Sequence, residues 1–159
     1  MILPRSVRAL CALVLFISAS QPAHLRAQEN SASIDSPIGR WKTVNDATGE
    51  VQGIVAIHEE NGTLIGTIEQ ILERDVPGPN PACIYCEGDL KNHPLIGLQV
   101  VWGLKKDSER WSGGQILDPH NGGIYRCYVA VVPGGKKLKV RGYMGIPLLG
   151  RTLYWERVE

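Results

Sequence analysis

The sequence predicts an all-β fold, an antiparallel up-and-down barrel of about eight strands in a single domain. Three observations carry that expectation. Short runs alternate apolar and polar residues with a period of two, as strands buried on one face do. Clusters of Gly, Pro, Asn and Asp separate these runs at regular intervals. No stretch shows a convincing helical period, and closing the sheet into a barrel removes the exposed edges that an open sheet would leave.

The first residues read as an export signal. Arg5 and Arg8 precede an uncharged apolar run from Ala9 to Ile17, and small and polar residues follow, so cleavage is expected after Ser20 or, preferably, after Ala27. Cys11 does not read as a lipoprotein cysteine, because Arg8 stands close before it in too short an apolar run. That run falls short of the roughly 20 apolar residues that span a bilayer, and no later segment is apolar enough to do so. The expected organisation is therefore a signal peptide at 1–27, a flexible leader at 28–37 and one barrel domain at 38–159, placed in the periplasm or secreted. Cleavage removes three arginines and leaves 132 residues with a formal charge of −2, so nucleic acid is not an expected partner. The charge is uneven: residues 28–118 carry seven basic and fourteen acidic side chains, residues 119–159 seven and two.

Taken in order, RWKTV (40–44) is a short first strand. VQGIVAIHE and TLIGTIEQIL flank Asn61-Gly62, the favoured pair for a two-residue hairpin because both positions need positive φ. Further strands are expected at 97–104, 110–117, 123–132, 136–144 and 151–158, with turns at Lys105-Lys106-Asp107, Asp118-Pro119-His120-Asn121-Gly122 and Pro133-Gly134-Gly135. In the sixth run Tyr125, Cys127, Val129 and Val131 share a face, so Cys127 should point inward. In the last run Leu153 and Trp155 share a face with Arg151 and Arg157.

Two connections depart from this pattern. Residues 73–94 form a long segment with prolines at 77, 79, 81 and 94, and loops of that length tend to be functional or tied down. MGIPLLG (144–150) joins the last strands through apolar residues, which are expected to pack across an open end of the barrel, with a membrane or partner contact as the alternative.

KNHPLIGLQVVWGLKKD, WSGGQILDPHNGGIYRC and KLKVRGYMGIPLLGRTLYWERV together resemble the exported bacterial family known as domain of unknown function 2147. Its features fall at Gly39 and Trp41, Pro94 to Leu98, Gly114 to Tyr125, and Arg141 to Arg157. The resemblance implies a small calycin-type, lipocalin-like barrel with a signal peptide, and it brings no biochemical activity. Gly39-Arg40-Trp41 is also similar to the lipocalin Gly-x-Trp, whose ring an arginine covers. First and last strands adjoin in such a barrel, so Arg157, or failing that Arg141, should stack on Trp41.

Cys83 and Cys86, in NPACIYCEGDL, lack the strand-to-helix setting of a redox couple. A zinc site would need four ligands, for which Cys83, Cys86, His93 and Cys127 are the candidates, but no second Cys-x-x-Cys pair supports it. A disulfide clip is preferred, between Cys83 and Cys86 and with a bond to Cys127 as the alternative, since the exported compartment preserves disulfides. DPHNG reads as a turn in which Asp118 caps the backbone and His120 faces solvent, rather than as an acid–base pair. Ser36, Ser108 and Ser112 lie in no nucleophile context, and no metalloprotease, phosphate-loop or dinucleotide motif occurs, so no catalytic residue and no cofactor is assigned.

The remaining signal is aromatic. Trp41, Trp102, Tyr125, Tyr143 and Trp155 lie on strands, and with Arg141 or Arg151 they could line a pocket for an amphipathic molecule with an acidic head. An eight-stranded barrel is just wide enough to be filled by side chains or to hold one small ligand, and size alone tilts towards filled. The leading expectation is a non-catalytic carrier or sensor of a small hydrophobic or amphipathic envelope molecule, bound under the 73–94 loop. The alternative is an interaction module with a packed barrel and an envelope protein partner.

Overall fold

A computed structural model describes residues 34–74 and 76–158. The expected signal peptide and its cleavage sites lie outside these residues, as does most of the leader. Eight strands follow one another: β1 (Gly39–Val44), β2 (Val51–Glu60), β3 (Thr63–Ile71), β4 (Gln99–Asp107), β5 (Arg110–Asp118), β6 (Gly123–Val131), β7 (Lys137–Tyr143) and β8 (Gly150–Arg157). Each pairs antiparallel with the next, and β8 pairs with β1 through Trp41↔Arg157 and Lys42↔Glu156, closing the barrel. The up-and-down barrel expected from the alternation is the observed fold. Short 3-10 turns at Gly88–Leu90 and Pro147–Leu149 are its helical elements among the described residues.

Local chemistry explains the register. Asn61 and Gly62 both take positive φ, 50° and 77°, and Glu60 faces Thr63 across the hairpin. The β4–β5 turn is tighter than expected: Lys105, Lys106 and Asp107 belong to β4, and Asp107 pairs with Arg110. Ser108 takes the positive φ, while the Asp107 carboxylate accepts from Ser112 Oγ (3.1 Å) and Arg110 Nε (3.3 Å). Charged side chains on a solvated outer face do not interrupt a strand, which is why the Lys-Lys-Asp cluster misled as a turn signal.

The two ends of the barrel differ. At one end the inward face is packed solid by Trp41, Leu64, Leu104, Trp111, Val129 and Leu138, all buried. Arg157 seals this end. Its guanidinium carbon lies 4.2 Å from the centroid of the Trp41 ring. It also donates to the carbonyls of Gly135 (2.6 Å), Ser36 (2.7 Å), Ile38 (3.2 Å) and Ile34 (3.2 Å). The Trp41 indole N–H donates to Pro37 O at 2.8 Å. Gly39 has φ 136°, and a Cβ there would lie 3.0 Å from the Arg157 guanidinium, so glycine fits both the backbone and the close approach. Arg157, not Arg141, is thus the arginine over Trp41.

Candidate binding cavity

Beyond the Trp41 plug the inward side chains stop meeting. They leave a cavity of about 960 Å³ that opens at the other end of the barrel. Val100, Val140 and Trp155 line its deep part, and Ile116, Leu153 and Tyr125 line its wall. The size-based tilt towards a filled interior is therefore corrected: side chains fill the half around Trp41 and leave the other half open. β6 shows the change along one strand, since Val129 sits in the plug, Tyr125 borders the cavity and Cys127 lies buried between them.

The 73–94 segment roofs the opening. Val76, Pro77, Pro81, Ala82, Ile84 and Tyr85 all border the cavity. Within the segment, Ala82 and Pro94 form a β-bridge, Cys83 N donates to His93 O (2.8 Å) and Asn92 N to Cys83 O (3.0 Å). Cys83 and Cys86 are bonded to one another and buried. The segment rests on the β5–β6 turn at Gly122, which has φ 71° and where a Cβ would lie 1.9 Å from Tyr85 O. Only glycine permits that contact. The disulfide takes up two of the four thiol and imidazole ligands considered for zinc. Cys127, the third thiol, is free, and burial pushes its pKa up to about 12, so it is a protonated, unreactive core residue.

Polar groups ring the mouth. Arg151 holds Asp46 through one edge of its guanidinium, Nη2 donating to Asp46 Oδ1 and Nε to Asp46 Oδ2 at 2.9 Å. This contact holds the Asp46 carboxyl below its ordinary pKa and raises that of Arg151. Gln52 Nε2 donates to Glu73 Oε1 (2.8 Å) and lies 2.9 Å from His120 Nε2, which is 3.3 Å from the same Glu73 oxygen. His120 thus joins the β5–β6 turn to β2 and to the root of the roof, rather than only facing solvent. Asp118 is occupied as a turn cap, accepting from His120 N and from Asn121 Nδ2, each at 3.0 Å.

The site residues anticipated from the sequence separate into two groups. Tyr125, Tyr143, Arg151 and Trp155 border the cavity. Trp41 is in the plug. Trp102 is on the outside, its indole N–H donating to Gln115 Oε1 at 3.1 Å, because a bulge places Val100 and Val101 in the interior in its stead. Arg141 also faces outward, opposite in phase to the buried Leu138 and Val140, and it grips the β7–β8 connection. That connection does not pack across the barrel end as expected: Met144, Ile146, Leu148 and Leu149 are exposed. Asp46, Gln52 and Glu73 at the mouth carried no sequence signal, since each sits in ordinary polar surroundings and converges only through folding.

The sequence profile of a bacterial family, described as an uncharacterized protein conserved in bacteria (DUF2147), matches residues 39–157. The chain belongs to the DUF2147 family. This DUF2147 barrel is also similar to a solved structure from Helicobacter pylori, the protein HP1028, described as belonging to the lipocalin family. The two superpose with a TM-score of 0.67 at 19% identity, over 79% of this chain and 84% of that chain. At that identity the likeness shows the fold alone. No curated protein matches the chain in sequence.

Proposed function

We propose that this DUF2147 protein is a non-catalytic carrier or sensor that binds one small hydrophobic or amphipathic molecule of the bacterial envelope. The half-filled barrel supports this reading most directly: an apolar cavity of about 960 Å³ lies within the usual range for small-molecule sites, with polar groups confined to its mouth. The apolar body would lie against Leu153, Tyr125 and Trp155, and the head would reach Arg151 and Tyr143 at the rim. Arg151 is already committed to Asp46, so an acidic head would have to displace that carboxylate, whereas a hydroxyl or amide head could join the Asp46–Arg151 and Gln52–Glu73–His120 networks unchanged. Export to the periplasm or beyond, driven by a cleaved signal at 1–27, fits the Cys83–Cys86 bond, which persists in an oxidising compartment.

Native mass spectrometry of protein purified from the periplasm of its own host tests the reading. A co-purified, lipid-sized mass that is released on denaturation is expected. Its repeated absence, together with failure of the cavity to take up an environment-sensitive apolar dye, would overturn the carrier reading.

A further inference from the structure

Two apolar tips flank the mouth of the cavity, and both are built in the same way. The β7–β8 connection presents Met144, Ile146, Leu148 and Leu149, of which Leu148 is 81% and Leu149 76% exposed. The disulfide-clipped roof presents Ile84 and Tyr85, 55% and 59% exposed. Met144 and Leu149 from one tip and Ile84 and Tyr85 from the other border the same opening. Single exposed apolar side chains are ordinary, but a group of them around one opening marks a contact surface.

Several backbone groups of these tips are satisfied from within the protein. Leu149 N donates to Ile146 O at 3.2 Å. Arg141 Nε donates to Pro147 O (2.9 Å) and its Nη2 to Leu148 O (3.0 Å), while Pro147 has no N–H to satisfy. On the other tip, Lys91 Nζ donates to Ile84 O at 2.6 Å. A carbonyl moved from water towards lipid must keep a hydrogen-bond partner, so tips whose carbonyls are held by their own basic side chains are prepared for that transfer. The same cations stand directly behind the apolar tips. Arg126 on β6, opposite Tyr143, adds a further cation at the root of the larger tip. Apolar side chains ahead of basic ones is the pattern of attachment to an anionic lipid surface. The larger tip is aliphatic throughout and lacks the Trp, Tyr and Arg anchors that concentrate affinity in protein interfaces.

We propose that the open end of the barrel docks on an anionic phospholipid bilayer, with Leu148, Leu149 and Ile84 entering the boundary between head groups and acyl chains. The cavity mouth then faces the membrane. The docking does not depend on what the cavity holds. Flotation of the full chain with vesicles of mixed phosphatidylethanolamine and phosphatidylglycerol tests it. The protein should float with the vesicles, and Leu148→Ser/Leu149→Ser should cut the bound fraction about tenfold or more, because two leucines lose their transfer into lipid. Both positions are exposed, so the thermal midpoint should not move. Added salt should weaken but not abolish binding. Failure of the full chain to float, or equal flotation of the double variant, overturns the proposal. So does a full chain that ignores vesicles but forms a defined complex with another protein through the same leucines. Vesicle binding by a protein whose cavity takes up no dye would uphold docking while counting against the carrier function.

Discussion

At Arg157 one guanidinium holds the segment before β1, the β6–β7 turn and the Trp41 ring together. A lysine keeps the charge but offers a point ammonium in place of a planar fork. Arg157→Lys should therefore leave carbonyls at Gly135 and Ser36 unpaired, and lower unfolding free energy in urea by roughly 2 kcal/mol. An unchanged midpoint and slope would mean that the stack and its four hydrogen bonds are incidental. This contact was legible in the sequence, because Gly-x-Trp at the start and an arginine on an apolar face at the end make sense only if the ends meet. The Asp46–Arg151 pair was not legible: 105 residues separate its partners, and nothing in either local pattern points to the other.

Among the elements, the 73–94 segment shows how a connection can be ordered without strands of its own. Its bridge at Ala82 and Pro94, its buried disulfide and its seat on Gly122 hold it across the cavity. The ring closed by Cys83 and Cys86 is small, so the bond removes little entropy from the unfolded chain. Cys83→Ala/Cys86→Ala should cost about 2 kcal/mol or less in global stability. Hydrogen exchange should nevertheless quicken at the Cys83-position and Asn92 amides and stay unchanged in β5 to β8. Uniform acceleration across the barrel would show that the clip stabilises the whole fold rather than its roof. Prolines and paired cysteines made this segment conspicuous in the sequence. MGIPLLG was equally conspicuous and misread, since hydrophobicity says that side chains seek cover but not whether that cover is the protein's own interior. The deciding group is Arg141, whose outward phase on β7 lets it hold the Pro147 and Leu148 carbonyls and so fix an exposed tip at the rim.

For the whole molecule, eight strands make a barrel of fixed girth, and the choice of inward side chains decides how much of its interior stays empty. Alternation along the strands made the closed barrel readable, but barrel size misjudged its filling: of the rings expected inside, Trp102 turns outward at the β4 bulge and Trp41 goes to the sealed end. Such a bulge shifts the inward phase by one residue and leaves no mark in composition. The division of the interior can be tested by completing the plug. Leu153 faces Val140 across β7 and β8 and borders the cavity beside the buried Trp155. Leu153→Trp would place an indole in space that is already open, so the usual cost of overpacking a filled core should not arise. The variant should keep its thermal midpoint within a few degrees of the unaltered chain or raise it, while uptake of an apolar dye falls about tenfold or more. Vesicle attachment through Leu148 and Leu149 should persist, because those side chains lie on the outer tip. A large loss of stability would mean that the open half of the barrel is closed in solution. Dye binding that survives the added indole would place the ligand elsewhere on the molecule.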